Sequence, residues 1–508
     1  ISGPQMWAQE SSGMYSLSGS EVLDLGILSI GANTSELEIR CRLNGTLAPL
    51  NATSELVGKD FSIPYYVFDS DTTLDEDTEF WFYIPPSYDI TYDPLNGSSS
   101  YTSNPYSDQK YFLVSGGNDS YQPIPLEAVP EPATSRAMNA RATWVYDTAM
   151  YNLVGTGRRW MGELFDFTTT RVYDFRERTA MTASTVNQPV PGTAVNVQIK
   201  AVARSSTNNT KLLVQYGSQS ASVTFPAVQT GSVSNYVQEK LLTATFTADQ
   251  SASITLSYDK AGNNAAAMWL DEMIVDWETS EEEVYPSQSM VNHPRGAGNY
   301  SHFNVEGTSC LRIFGIENQQ ISSLVEPAVV VSGGLDQYQW KWYSHEDKLR
   351  TYKIGYCTDP LAYIVDQKVD LGAIETAVLS DLDGIESIII APDSLLDAAQ
   401  ELAVLERSTG VSSEVVALSY IYDEMNTGNP DIGAIRKFLV KAYADYGTLK
   451  YLTLFGDASY DYKGKLQGRQ SNLVPTYHTA ASFSLYTSYI TDDFYGYLDA
   501  GETLNWFL

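Results

Sequence analysis

The chain has 508 residues, and with 43% hydrophobic and 18% charged residues it has the balance of a packed globular protein long enough for several domains. Its 31 basic and 62 acidic residues give a formal net charge of -31, so the surface repels phosphate backbones and nucleic acid is excluded as an expected partner. No apolar run of about 18 residues or more is present, so no membrane-spanning helix is predicted.

Residues 1–180 are predicted to form a β-rich module, because short apolar runs such as LEIRCRL and EFWFYIP alternate with turn-forming residues. Within this module, six acidic residues lie between Asp69 and Glu79. Both a Ca2+-binding loop and a solvated acidic turn are compatible with them. The central glycine of an EF-hand loop is missing, which favours the turn.

Residues 181–285 alternate apolar and polar side chains, as in VNVQIKAVA and ASITLSYD, and this period of two predicts strands with one buried face. The simplest arrangement is a jelly-roll-like β-sandwich. Such a sandwich serves either as a binding module for carbohydrate or protein or as a structural spacer, and the sequence leaves both open. Residues 286–380 are predicted to form a β-rich connecting module, with strands at EPAVVVSGG and YKIGYC.

The pattern changes at residues 381–508. ESIIIAPD is a short β-branched run typical of a strand buried on both faces, and a predicted helix capped by Ser394 follows it. SSEVVALSYIY is predicted as a second strand. Asp431 and Gly447 then bound a second helix, and LKYLTLFGD supplies a third strand. This order of elements predicts an α/β domain with a parallel sheet.

Three carboxylates are the candidate site residues of this domain. Asp457 follows the third predicted strand, and ligands in parallel α/β sheets gather at the carboxyl ends of the strands. Asp492 and Asp493 form an adjacent pair further on. All three are candidates for an active-site rim or for a structural Ca2+ ion, with capping and turn formation as the alternative. No other cofactor is predicted.

A complete catalytic set is missing from the chain. His478 is the only histidine of the predicted α/β domain, and Cys41, Cys310 and Cys357 all lie upstream of it. A thiol nucleophile needs a base within hydrogen-bond reach, so His478 is interpreted as an ordinary loop residue. Ser459 lacks the Gly-X-Ser-X-Gly pattern of a nucleophile elbow and is interpreted as a turn residue.

Several segments share a family pattern. They are IYDEMNTGNPDIGAIRKFLVKAYADYGTLKYLTLFGDASYDYKG, NLVPTYHT and YITDDFYGYLD, together with an upstream element formed by Gly157, Arg158, Trp160, Gly162 and Glu163. In these segments the chain resembles the gingipain-like cysteine peptidases, and among them the sortases of the type IX secretion system. The resemblance covers most of the chain and is most specific in its last hundred residues. It implies that residues 381–508 are the incomplete first part of a caspase-like domain.

The resemblance also implies where the chemistry lies. In this family a Gly-His-Gly histidine and a nucleophilic cysteine follow the part of the domain seen here, and neither has a match in this sequence. Both are therefore expected after Leu508, no catalytic residue is assigned within the chain, and the chain by itself is expected to be inactive.

The implied function is that of a cell-surface cysteine endopeptidase and transpeptidase of Bacteroidota-type bacteria, associated with the outer membrane. It removes the C-terminal signal domain of cargo proteins and attaches them to lipopolysaccharide. The implied partners are these cargo proteins, lipopolysaccharide, the outer-membrane barrel PorV and further components of an attachment complex. The alternative is a non-catalytic adhesin or carbohydrate-binding β protein whose α/β tail is only structural.

Overall fold

The computed structural model shows a chain built mainly from β-strands, with its helices concentrated near the carboxyl end. It describes residues 4–9, 13–42, 61–67, 72–93, 96–117, 124, 126–128, 139–175, 188–229, 235–249, 251–280, 290–291, 300–306, 311–317, 320–326, 328–331, 337–343, 351–356, 369–374, 382–466 and 472–498.

The first part of the chain forms short strands and one helix. They are β1 (Gln5–Gln9), β2 (Gly13–Ser18), α1 (Gly19–Asp24), β3 (Leu37–Cys41), β4 (Phe61–Ser62), β5 (Tyr65–Val67), β6 (Glu79–Ile84), β7 (Tyr88–Asp93), β8 (Ser98–Ser103), β9 (Lys110–Gly116) and β10 (Leu126–Ala128). A sheet containing β1, β9, β3 and β4 faces a second sheet of β2, β6 and β5. The core between them is rich in aromatic side chains, including Trp7, Phe82 and Phe112.

A β-sandwich follows. Its strands are β11 (Asn139–Tyr146), β12 (Leu164–Phe165), β13 (Thr170–Asp174), β14 (Ala194–Arg204), β15 (Thr210–Tyr216), β16 (Gln219–Phe225), β17 (Gln238–Thr247), β18 (Ser253–Asp259) and β19 (Ala267–Ser280). One sheet contains β11, β19, β14 and β17, and the other has the order β13, β18, β15, β16. In β14 the predicted alternation holds, because Val195, Val197 and Ile199 are buried in the core that both sheets share.

The next strands attach to sheets formed earlier in the chain. They are β20 (Met290–Val291), β21 (Tyr300–Glu306), β22 (Leu311–Glu317), β23 (Gln320–Glu326), β24 (Ala328–Val331), β25 (Gln337–Tyr343), β26 (Thr351–Tyr356) and β27 (Val369–Ala373). The strands β20, β26, β22 and β23 extend the β11 side of the sandwich, β24, β25 and β21 form a separate sheet, and β27 pairs with β1. The sheet that contains β11 thus includes strands from both sides of the predicted domain boundaries at residues 181 and 286.

The α/β segment contains the strands β28 (Ser387–Ala391), β29 (Ser413–Ala417), β30 (Tyr451–Leu454), β31 (Tyr477–His478) and β32 (Ile490–Thr491) and the helices α2 (Leu396–Ser408), α3 (Leu418–Asn426) and α4 (Ile432–Tyr446). The strand β28 lies between β29 and β30, and both pairings are parallel. In the register, Ile389 is opposite Val415 and Ile388 is opposite Leu452. The predicted parallel sheet is confirmed.

Helices cover both faces of this sheet. Ile389 and Ala391 of the central strand pack against Ala399 and Ala403 of α2 on one face. On the other face, Ile388 and Ile390 belong to the core formed with α3 and α4. All five residues of β28 are therefore buried, as expected for a central parallel strand.

Two local predictions were wrong, and two were confirmed. The strand predicted for SSEVVALSYIY ends at Ala417, and Leu418 begins α3. The predicted Ser394 cap is also absent, because Ser394 lies in a 3-10 turn that precedes α2. Asp431 does cap α4, accepting a hydrogen bond from the Gly433 N–H at 2.6 Å, and the helix ends at Gly447 in the left-handed conformation.

The fold class predicted from the sequence is confirmed. β-rich modules with a β-sandwich come first, and an α/β segment with a parallel sheet follows them. Among the described residues, none of the helices has the length and apolar character needed to cross a membrane.

Candidate functional site

Asp457 lies at the carboxyl-end edge of the parallel sheet, as predicted. It follows β30 and is exposed, and its backbone carbonyl accepts a hydrogen bond from the Leu473 N–H at 3.0 Å. Gly456 makes this contact possible, because a Cβ at that position would lie 3.0 Å from Val474 and 3.1 Å from Leu473. The turn thus holds the Asp457 backbone in place and leaves its carboxylate open to solvent.

Two further carboxylates, which the sequence analysis did not select, belong to the same edge. Asp393 follows β28 and accepts a hydrogen bond from Ser419 at 2.7 Å. Asp423 lies in the helix that follows β29, and burial, together with the nearby Asp393, raises its pKa to about 6. Because parallel strands end at one edge of a sheet, this edge is acidic. A carboxylate next to the end of a predicted parallel strand was the signal that could have found Asp393.

Asp492 and Asp493 are exposed at the start of a short 3-10 helix, Asp493–Gly496. The Asp493 N–H donates to the Thr491 hydroxyl at 3.2 Å. Behind the pair, Phe494 and Tyr495 are buried in the core of the α/β segment. The two carboxylates are thus presented on a turn that the core anchors.

The three predicted site residues are not joined to each other. Within the part of the chain that the structure describes, no hydrogen bond or ion pair connects Asp457 to Asp492 or Asp493, and no group of three or more acidic, His or Cys side chains is arranged to hold a metal ion. The structural Ca2+ ion stays a prediction, and so does the role of these residues at an active-site rim.

The sequence had indicated that His478 is an ordinary loop residue, and this prediction was wrong. It lies in β31, is fully buried, and stacks on the ring of Tyr462 at 4.2 Å between centroids. Neither ring nitrogen has a hydrogen-bond partner among the described residues. Burial, and the nearby Arg158 guanidinium, lower the pKa of His478 to about 4. The ring is therefore neutral at pH 7 and packs as an aromatic side chain.

The upstream family element lies at the junction between the β-sandwich and the α/β segment. The Arg158 guanidinium donates a hydrogen bond to the backbone carbonyl of His478 at 3.1 Å and lies 5.4 Å from the ring centre of Tyr477. The Arg158 N–H donates to the carbonyl of Thr479 at 3.0 Å. Trp160 stacks on Tyr460 with centroids 5.8 Å apart. One arginine and one tryptophan thus connect the two parts of the molecule.

The other end of this element is tied to the sandwich. The Gly162 N–H donates to the carbonyl of Leu270 at 2.6 Å. Glu163 accepts a hydrogen bond from the Tyr173 hydroxyl and forms an ion pair with Arg171 at 3.7 Å. Because one half is fixed to the sandwich and the other contacts the α/β segment, the element sets the position of one relative to the other.

The carboxyl-terminal segment matches a peptidase family. Residues 380–506 match the family model described as Peptidase family C25, the class of cysteine peptidase that the resemblance to gingipain-like enzymes predicted. The comparison with curated protein sequences gives no match.

The fold of the chain is similar to that of a solved structure, the crystal structure of dimeric latent PorU from Porphyromonas gingivalis. The two share a TM-score of 0.73 at 18% sequence identity, and the match covers 98% of this chain and 46% of that chain. The chain thus spans less than half the length of that PorU chain. The resemblance stated from the sequence is confirmed at the level of the fold.

Other structural matches are weak. PRD1 vertex protein P5 matches at 16% identity over 28% of this chain and 98% of its own, with a TM-score of 0.17. The Cry4Aa toxin from Bacillus thuringiensis matches at 10% identity over 49% of this chain and 43% of its own, with a TM-score of 0.18. Neither carries an argument about function.

Proposed function

We propose that this chain is the front part of a cell-surface sortase of the type IX secretion system. The protein would remove the C-terminal signal domain of cargo proteins and attach them to lipopolysaccharide. The observation that supports this most is a combination: residues 380–506 match the C25 peptidase family, and the chain has the PorU fold over 98% of its length. A gingipain-like peptidase segment next to these particular β modules is the arrangement of that sortase.

The chemistry that this function requires is a two-step acyl transfer. A cysteine thiolate attacks the carbonyl carbon of the scissile peptide bond, the amine of the signal domain leaves with a proton, and a thioester remains. An amine of lipopolysaccharide then attacks the thioester, which releases the thiolate and forms a new amide. The second step makes the enzyme a transpeptidase, because an amine takes the place of water.

In this proposal the described residues form the scaffold of the reaction, and the catalytic histidine and cysteine follow Leu508. The parallel sheet of β29, β28 and β30 would position these groups, since ligands and catalytic groups gather at the carboxyl ends of such strands. Asp457 lies at that edge, and Asp492 and Asp493 are the further carboxylates proposed for the rim.

The proposed setting follows from the same relationship. The protein would act on the extracellular side of the outer membrane, with the barrel PorV and other attachment-complex components as partners. The acidic surface, with a net charge of -31, is compatible with that setting and does not identify it.

The decisive experiment begins with the continuation of the gene past residue 508. We expect it to encode Gly-His-Gly and, after the next strand, a cysteine. The full-length protein with that cysteine changed to alanine should leave cargo proteins with uncleaved signal domains, measured as a mass increase on immunoblots of surface fractions. The matched control is Cys357→Ala in the same full-length protein, which should process cargo normally. Absence of the His and Cys, or normal processing in the first variant, would refute the proposal.

The 508-residue chain alone is expected to have no peptidase activity, because it has no thiol in the α/β segment. Incubation with a cargo peptide that spans the cleavage site, followed by mass spectrometry, measures this directly. Turnover that survives removal of contaminating proteases would contradict the assignment of the catalytic groups to residues after Leu508.

A further inference from the structure

A cleft of about 580 Å³ opens where three parts of the molecule meet. One wall is the end of β8 and the residues after it, a second is the segment Arg158–Trp160, and a third is the loop Asp461–Lys465. The floor is the outer face of the sandwich sheet, with side chains from β14, β17 and β19. Its volume lies within the range of about 300–1,000 Å³ that small-ligand sites occupy.

The walls combine aromatic rings with charged groups of both signs. Tyr101, Tyr106, Trp160 and Tyr462 contribute rings. Such rings offer apolar contact area and also favour a nearby cation through their electron-rich faces. The cleft is therefore suited to an organic ligand with a charged group and a carbon skeleton.

Most of the charges in the cleft neutralise one another. Arg159 forms ion pairs with Glu239 and Asp271, each at 2.5 Å. Lys200 forms an ion pair with Glu272 at 2.5 Å, and the two residues lie opposite each other on the neighbouring strands β14 and β19. Each of these carboxylates on the floor of the cleft therefore already has a cationic partner.

The two lysines of the loop Asp461–Lys465 also have an acidic partner. Lys463 pairs with Asp108 at 2.5 Å, and Lys465 approaches the same carboxylate at 3.8 Å. Asp108 thus provides a carboxylate partner for both ammonium groups.

Asp147, which follows β11, differs from the other acids of the cleft. Among the residues that the structure describes, its carboxylate has no hydrogen bond and no ion pair. Burial raises the pKa of Asp147 to about 6, Asp271 and Glu272 act in the same direction, and Lys465 and Lys463 act in the opposite one. Partial burial of an unpaired carboxylate beside two other acids is unfavourable, and a cation that enters the cleft would relieve it.

We propose that this cleft binds a ligand through a primary ammonium group, which pairs with Asp147 while the carbon skeleton of the ligand contacts the aromatic walls. The site differs from a metal site, because the described residues contain no group of three acidic, His or Cys side chains arranged for an ion. A primary ammonium on a short skeleton occurs in two common forms, the side chain of lysine and an amino sugar. Both fit the volume of the cleft.

The test uses the 508-residue chain and does not need peptidase activity. Binding of Nα-acetyl-lysine methylamide and of glucosamine is measured by titration calorimetry at pH 7, beside their uncharged counterparts, Nα-acetyl-norleucine methylamide and glucose. We expect at least one charged probe to bind about tenfold more tightly than its counterpart, because a charge-assisted hydrogen bond is roughly twice as strong as a neutral one. The tighter of the two charged probes identifies the source of the ammonium group.

The variant Asp147→Asn should lose about the same factor of ten, since its amide keeps the shape and removes the charge. The matched control is Asp397→Asn, an exposed acid on α2 that lies outside the cleft.

A second measurement uses the wild-type chain and so does not depend on the folding of a variant. Binding of the lysine probe should weaken between pH 7 and pH 5, because Asp147 becomes protonated over this range. Equal binding of charged and uncharged probes, no binding of either charged probe, or unchanged affinity in Asp147→Asn would overturn the proposal.

Discussion

Arg158 and His478 are 320 residues apart in the sequence, and the side chain of the first donates a hydrogen bond to the backbone carbonyl of the second at 3.1 Å. This contact connects the β-sandwich to the first strand of a small hairpin in the α/β segment. The ring of His478 is fully buried. The junction between the two parts therefore includes a charged donor bound to the backbone of a residue whose imidazole is neutral and stacked.

The first prediction concerns this donor. Arg158→Met keeps much of the apolar stem and removes the guanidinium, which leaves the His478 carbonyl without this hydrogen bond. We expect a loss of about 1.5–3 kcal/mol of unfolding free energy, the usual contribution of a hydrogen bond that involves a charged group. Urea denaturation measures the loss, and hydrogen exchange of β31 and Thr479 should become faster. Lys211→Met, on an exposed position of β15, is the control, and an equal effect in both variants would contradict the assigned role.

The second prediction concerns pH. The folded chain holds the pKa of His478 at about 4, below the value of 6.5 in the unfolded chain. Between these two pH values the unfolded state binds more protons, so the free energy of unfolding falls as the pH decreases from 6.5 to 4. Below pH 4, His478 causes no further loss of stability. The full difference corresponds to about 3 kcal/mol.

The variant His478→Phe isolates this contribution. It retains a ring for stacking on Tyr462 and removes two ring nitrogens that have no partner among the described residues. We expect near-wild-type or higher stability at pH 7, because unpaired buried polar atoms are costly. The difference in unfolding free energy between variant and wild type should grow in favour of the variant from pH 6.5 to pH 4. A difference that is constant over this range would show that His478 does not stay neutral in the folded chain.

The third prediction concerns the loop before Arg158. Gly157 has a φ of +80°, and a Cβ there would lie 2.7 Å from the Ser488 Oγ and 2.8 Å from the Ser482 Oγ. Gly157→Ala therefore combines backbone strain of about 1–2 kcal/mol with overlap that costs about 1–3 kcal/mol.

Gly155 offers a matched control in the same loop. Its φ is +70°, but a Cβ there would meet nothing within 4 Å. Gly155→Ala should show only the strain. Thermal unfolding of both variants separates the two contributions, and a Gly157→Ala variant no less stable than Gly155→Ala would mean that the loop does not pack closely against Ser482 and Ser488.

The elements that the sequence predicted correctly have local causes. The period of two in β14 and the uninterrupted β-branched run in β28 reflect which faces are buried, and that pattern is written in neighbouring residues. Asp431 and Gly447 were found at the ends of α4 because capping depends on the chemistry of single residues. Asp457 was placed at the sheet edge by the same reasoning.

The elements that the sequence missed depend on tertiary contacts. LSYIY is rich in strand-forming residues, yet it is helical, because Leu418, Ile421 and Met425 face one core at helical spacing. The burial of His478 could not be foreseen, since Arg158 and Tyr462 reach it from distant parts of the chain. Asp147 has no ion pair among the described residues because the neighbouring lysines and arginine contact other carboxylates, and the sequence alone does not reveal those contacts.

A buried ion pair fixes the β7–β8 hairpin to the sandwich. Arg141 and Asp276 are 5% and 3% exposed, and their side chains meet at 2.7 Å. Asp276 also accepts hydrogen bonds from the backbone N–H and the hydroxyl of Ser99 in the hairpin, both at 2.7 Å. One carboxylate thus joins two strands of the sandwich to a hairpin from the preceding module.

The last prediction follows from the loss of that carboxylate. Asp276→Ala leaves the Arg141 guanidinium buried without its counterion, and breaking a buried pair in this way costs about 3–5 kcal/mol. The double variant Arg141→Met with Asp276→Leu should recover at least half of the loss, because it removes the unpaired charge. The exposed pair of Lys441 and Asp445 on α4 is the control, and Asp445→Ala should cost less than about 0.5 kcal/mol. Unfolding free energies from urea denaturation test all three variants. If Asp276→Ala were as mild as Asp445→Ala, the pair would be hydrated in solution and the hairpin would not depend on it.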